Sequence, residues 1–135
     1  MMEIVDDKPP IYSQILSRFP AAGKRGVIFA WGDKIFNPSR VKISPHFVAH
    51  EEVHGNRQNG NPEAWWARYL EERAFRFDEE IYAHNAELQH LSQHGSTRKI
   101  RRGATFEVAG RLASPLYSLG ITRKEARKFL ALDSP

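Results

Sequence analysis

The chain of 135 residues has no cysteine. That excludes a disulfide framework and any thiolate-based zinc knuckle, and it suits a reducing compartment. A metal, if there is one, has to be held by His, Asp or Glu. Long hydrophobic runs are also missing. No stretch approaches the roughly 20 apolar residues that a membrane span needs. The N-terminal MMEIVDDKPPIYSQ is acidic and has no apolar core of a signal peptide. These absences set the expectation of a soluble, cytoplasmic protein with no membrane partner.

What is present is a globular composition. Hydrophobic residues make up 41%, with eight Phe, four Tyr and three Trp, enough to build one buried core and one domain over residues 1–135. The net charge of +4 is unevenly spread. Acidic residues concentrate between Glu63 and Glu87. Arg98, Lys99, Arg101, Arg102 and Arg111 follow, then Arg123, Lys124, Arg127 and Lys128. Such clusters can contact nucleic acid through phosphates, but equally they form a solvated helix face. No aromatic residue is interleaved with them, which argues against stacking on single strands.

Local signals give an order of elements. Residues 10–19 (PIYSQILSRF) show helical spacing, ended by Pro20 and Gly23. Residues 26–36 (GVIFAWGDKIF) read as two short strands around Gly32-Asp33, and 41–43 as a further short strand. Ser44-Pro45 is an N-cap followed by a favoured first helical residue, predicting a helix to about Arg57. Asn59-Gly60-Asn61-Pro62 ends it and starts a long helix over about 62–90, with a break near Arg73. Trp65, Tyr69, Ala74, Phe77, Ile81 and Leu88 lie along its apolar stripe. A loop over 93–97, a helix over 106–113 and a last helix over 122–132 complete the chain. The last carries the capping-box pair Thr122 and Glu125. The fold class is therefore α+β, a mostly helical single domain with a small sheet or hairpin.

The first of the two middle helices carries VAHEEVHGNRQ, with the pattern H-E-x-x-H at His50, Glu51 and His54. Positions four apart share a helix face, so two imidazoles can meet one metal ion. Glu51 flanks that point and can act as general base and then acid on a metal-activated water. His46 sits one turn earlier, but three imidazoles on one straight helix do not converge on one tetrahedral ion. It reads as a cleft-lining or surface residue. A third ligand should come from the next helix, where Glu71, Glu72, Asp78, Glu79, Glu80, His84 and Glu87 are candidates.

The segments HEEVHGNRQ, NPEAWWARYL and FRFDEEIYAHNAE together resemble the small gluzincin-type zinc metallopeptidases, in which H-E-x-x-H is followed on the next helix by E-x-x-A. The resemblance covers roughly residues 26–87 and, more loosely, LASPLYSLGIT. Glu80-Ile81-Tyr82-Ala83 fits the second motif, and similar segments occur in short bacterial and phage proteins. The resemblance implies Zn²⁺ held by His50, His54 and Glu80, with Glu79 as the alternate and His84 as a further ligand-side or supporting group. It implies Glu51 as the catalytic base and a peptide or protein substrate. An exposed strand edge within 26–30 or 31–36 would hold that peptide, unless both strands are paired and buried. Tyr117 is the candidate oxyanion donor, with Tyr82 and His84 behind it. Trp65 and Trp66 read as core. Gln58 is either a hydrogen-bonding support or solvated.

The leading expectation is thus a zinc-dependent hydrolase. The alternative is a phage or virion assembly protein that reuses the same fold, with a protein partner in the particle, located in the host cytoplasm or the virion. Nucleic-acid binding through the basic C-terminal third ranks below both.

Overall fold

A computed structural model describes residues 2–93 and 97–130 of the chain. Its architecture is α+β and mostly helical. Three short strands form one sheet in the order β1-β3-β2. β1 is Glu3–Val5, β2 Phe29–Trp31 and β3 Lys34–Phe36. The β2–β3 hairpin turns at Gly32-Asp33 as its sequence predicts, with Gly32 at φ 62. β1 lies parallel to β3 in the register Ile4 opposite Ile35, and was not foreseen. The strand expected over 41–43 does not form. Asn37, 2% exposed, bonds Val41 across that turn instead, its amide nitrogen donating to the Val41 carbonyl at 2.7 Å.

Helix α1 is Tyr12–Arg18, followed by a 3₁₀ turn over Pro20–Gly23. Helix α2 spans Pro45–Arg57 behind Ser44, with the bounds that its Ser-Pro start and Asn-Gly end dictate. The long helix is two. α3 (Pro62–Glu71) is capped by the Asn61 side chain, which accepts from the Ala64 amide at 3.2 Å. α4 (Arg73–Gln93) starts after Glu72, whose extended backbone makes the break. α5 is Arg98–Leu112, about two turns longer at its N-terminus than expected, so Arg98, Lys99, Arg101 and Arg102 lie on the same helix as Arg111. α6 is Arg123–Arg127, entered through the complete Thr122–Glu125 capping box. The expected loop over 93–97 and the end of the last helix fall partly outside the described residues.

Two apolar clusters build the interior. One joins α1, β2 and α3 through Ile15, Phe19, Phe29, Trp65, Trp66 and Tyr69. The other joins α4, α5 and α6 through Leu88, Val108, Leu112, Tyr117, Leu119 and Ala126. Leu116 packs against both. Helix α2 lies against α4 and also meets β2.

That meeting depends on Gly55. A β-carbon there would stand 2.5 Å from the Gly32 carbonyl oxygen and 2.9 Å from the Met2 side chain. Backbone on the sheet side cannot yield as a side-chain tip would. Gly55→Ala is expected to lose about 1–3 kcal/mol net of its gain in helix propensity. Urea unfolding of the two proteins measures this, and an unchanged midpoint would contradict the close approach.

Candidate metal centre and cavity

Eight acidic or basic side chains are buried among the described residues: His50, Glu51, His54, Arg76, Glu79, Glu80, His84 and Glu87. Burying charge is costly unless each group is paired. A helix built only for packing would place Leu where α4 has Glu80, His84 and Glu87. The predicted apolar stripe of α4 is correspondingly displaced. Ala74 is exposed, and Phe77 and Ile81 are half-buried, while the polar set at 76, 79, 80, 84 and 87 faces inward beside Ala83 and Leu88.

The structure brings His50, His54 and Glu80 together. His50 Nε2 lies 3.4 Å from Glu80 Oε1, and His54 Nε2 lies 3.3 Å from the same oxygen. Donors on a tetrahedral ion with bonds of about 2.05 Å stand about 3.3 Å apart along each edge. The two observed separations match that edge, so the residues fit a single small cation. All three side chains are buried and within reach of one another. Two imidazole nitrogens and one carboxylate oxygen are a borderline donor set of the kind zinc takes.

The carboxylate is held from behind. The buried Tyr69 hydroxyl donates to Glu80 Oε2, which itself lies 3.2 Å from His54 Nε2, so the carboxylate is fixed with both oxygens near the imidazoles. Burial raises the Tyr69 pKa well above its usual value, with the Glu80 charge adding to it, so Tyr69 remains a donor. Burial alone would raise the Glu80 pKa too. The charges and hydrogen bonds of His54 and His50 outweigh that and hold Glu80 well below the usual carboxylate range.

His50 is oriented by Glu87. Its Nδ1 stands 3.1 Å from Glu87 Oε1, and Arg111 forks both Glu87 oxygens. With the proton on Nδ1, the lone pair of Nε2 faces Glu80. Burial pulls the His50 pKa down, but hydrogen bonds to Glu80 and Glu87 and the nearby Glu51 charge push it up to about 10. Glu87 is affected by burial in the opposite sense, yet His50 and Arg111 bring it down to about 2. Glu87→Gln keeps the shape and removes the charge that fixes the His50 ring. Metal affinity should fall about 10–100-fold in that variant, read by competition with a chromogenic chelator. Parental affinity would show that Glu87 has no such role.

A second group, His50, His84 and Glu87, is also close enough to meet one ion. It is the poorer site. Arg111 already supplies a full positive charge to both Glu87 oxygens, and a cation there would face the guanidinium. His84 is fully buried, and its Nδ1 bonds the Glu80 carbonyl oxygen at 2.6 Å. Burial lowers its pKa to about 3, so the ring is neutral. It supports the helix turn that carries Glu80. Its Nε2 and His54 Nδ1 are the two buried side-chain polar atoms without a hydrogen-bond partner among the described residues.

Glu79, the alternate ligand by sequence, points elsewhere. It accepts from Trp65 Nε1 at 2.7 Å and from Arg57 Nε at 2.9 and 3.0 Å. Tyr82, considered as a donor behind Tyr117, is 52% exposed and lies under the Arg57 guanidinium. His46 is half-buried with its ring tilted against Phe47, and it is not one of the three converging donors. Trp65 and Trp66 are core, as expected, and Trp65 also lies edge-on to His54.

Glu51 and Tyr117 line the same cavity, about 530 Å³, into which His50, His54 and Glu80 also open. Glu51 Oε2 is 3.5 Å from His50 Nε2. Burial raises its pKa against the pull of the two imidazoles, bringing it closer to neutral, where a proton carrier is effective. The Tyr117 hydroxyl makes no hydrogen bond among the described residues. Burial raises its pKa well above the usual phenol value, so it stays protonated.

The chain matches no protein-family model, no curated protein and no solved structure. The functional reading therefore rests on the site's own geometry.

Three supports were not foreseen. Tyr69 was read only as part of an apolar stripe. Glu87 was one of seven candidate ligands, although its place two turns after Glu80 puts both on one face. Arg76 gave no signal. It is buried, and its Nε and Nη1 donate at 2.7 Å to the Tyr117 and Tyr69 carbonyl oxygens, so one cation ties together the backbones of both tyrosines. Gln58 proves to be a clamp, not a solvated residue. Its Nε2 donates to the Ala30 oxygen at 2.9 Å and its Oε1 accepts from the Gly32 amide at 2.6 Å. β3 is paired on both sides, and β1 and β2 form the two edges of the sheet, β2 on the side of the cavity. Gln58 and Trp66 cover part of the β2 edge, while residues 26–30 run along the cavity wall.

Proposed function

We propose that the protein is a zinc-dependent hydrolase, a small metallopeptidase. One observation carries the reading. The three converging donors, a buried carboxylate of raised pKa and a phenol hydroxyl with no hydrogen bond among the described residues line one cavity. Structural ion-pair networks also bury charge, but they have no need of an adjoining cavity or of an unpartnered donor in its wall.

His50, His54 and Glu80 would hold the ion. When bound, it supplies Lewis acidity, polarising a carbonyl and making a water easier to deprotonate. Glu51 takes the proton from the attacking water and returns it to the departing amine nitrogen. Tyr117 donates its hydroxyl hydrogen toward the oxygen on which charge develops. Tyr69 keeps Glu80 facing the imidazoles, and Glu87 with Arg111 keeps His50 in the tautomer that presents Nε2. Burial of these groups excludes bulk water, so each interaction is stronger than it would be in solvent.

The direct test is metal analysis by mass spectrometry of the purified protein and three variants. About one equivalent of zinc is expected in the parent and in Glu79→Ala, and little in His54→Ala or Glu80→Ala. Folded parent protein that takes up no zinc on reconstitution would end this reading.

A further inference from the structure

The wall of the cavity is largely apolar, formed by Phe29, Val41, Ile43 and Phe47 among others, and its mouth carries Arg25 and Lys42. Both cations are exposed, and neither has a hydrogen-bond or ion-pair partner among the described residues. They come from separate segments on a common frame. The Gly26 amide donates to Ser39 Oγ at 3.0 Å, and Asn37 holds the 37–41 turn. Inside, Glu87 is matched by Arg111, and Glu80 by the imidazoles. The mouth cations are therefore not consumed in neutralising the interior, and their charge faces whatever enters.

We propose that the cavity takes a peptide in which a bulky apolar side chain is flanked, within two residues, by acidic ones. The apolar side chain fills the wall region, and the acidic carboxylates pair with Arg25 and Lys42. This rests on the hydrolase reading in that the peptide is the substrate of that site. It adds the substrate's chemistry, which the metal donors do not determine. Peptides with Lys or Arg beside the apolar residue are disfavoured, because like charges meet at the mouth.

The test measures binding, so that it does not depend on turnover. Two acetylated, amidated alanine hexapeptides with one central Phe, flanked on both sides by Glu or by Lys, are titrated into zinc-loaded parent and Glu51→Gln protein by calorimetry. The Glu-flanked peptide should bind about 10-fold more tightly at low salt, two exposed pairs contributing. The gap should narrow as salt screens them. Replacing the central Phe by Ala should weaken both. Arg25→Gln with Lys42→Gln should remove the preference, and Arg25→Glu with Lys42→Glu should invert it. Equal affinities, binding of neither peptide, or a preference that survives charge reversal overturns the proposal. Hydrolysis of apolar peptides regardless of flanking charge would leave the peptidase reading standing without it. Selective binding with no peptide cleaved would do the reverse.

Discussion

Glu51→Gln should retain a full equivalent of zinc and lose hydrolysis by about 10²–10⁴-fold, the usual contribution of a positioned general base. The two halves of this expectation come from different parts of the site. In the proposed site metal content would depend on His50, His54 and Glu80, the two imidazole nitrogens standing 3.4 and 3.3 Å from Glu80 Oε1. Turnover depends on a proton carrier beside them, and the buried Glu51, 3.5 Å from His50 Nε2, has the raised pKa for that role. Gln fills the same space but cannot accept a proton. It also removes a buried negative charge next to Glu80 and Glu87, so thermal stability should hold or rise slightly. The measurement is cleavage of an internally quenched peptide library by parent and variant at matched zinc content. Equal rates would remove Glu51 from the mechanism, and loss of zinc along with activity would make it a ligand instead.

How far the sequence reveals this arrangement depends on whether the signal is local. Helix α2 was legible to the residue because Ser44-Pro45 and the Asn59-Gly60 pair punctuate it, and the histidine spacing on it needs only helical geometry. Its capping logic extends to Asn61 and Thr122, both observed as side-chain caps. β1 was missed because three residues near the N-terminus, Glu3–Val5, pair in parallel with a strand about thirty positions away. No neighbouring residue announces that pairing. The N-terminal half of α5 was missed for a different reason. It is basic and mostly exposed, so it has no apolar period to read. The stripe on α4 was misjudged because hydrophobicity was taken to mark the buried face. There the buried face holds Arg76, Glu80, His84 and Glu87, and the partners of Arg76, Glu80 and Glu87 include Tyr117, His54 and Arg111, which no local pattern on α4 reveals. Glu80 itself was chosen over Glu79 by resemblance of motif. The physical reason appears only in three dimensions, where Trp65 and Arg57 occupy Glu79 and Tyr69 turns Glu80 inward.

That charged face predicts how the protein answers to pH. In the metal-free protein His50 is protonated at neutrality, its pKa pushed from 6.5 to about 10 by Glu80, Glu87 and Glu51 against the effect of burial. A raised folded-state pKa stabilises the fold fully below 6.5, and that contribution is lost as pH climbs through about 10. Metal must displace the same proton before Nε2 can bind it. Zinc affinity should therefore rise about tenfold per pH unit across the neutral range, about 100-fold from pH 6 to pH 8, with about one proton released per ion. The two trends reinforce each other in a thermal assay. As pH rises the metal-free protein loses His50's contribution while zinc binds more tightly, so the gap in Tm between zinc-loaded and chelator-treated protein should widen. Glu80 and Glu87 do not reverse the trend in this window, because their lowered pKa values keep both ionised throughout. Competition with a chelator whose own protonation is known gives the affinities. Titration in buffers of different ionisation enthalpy gives the proton count. An affinity that does not change with pH would mean that His50 is already neutral in the metal-free fold, and that the carboxylates around it are held apart from the ring by more than the structure shows.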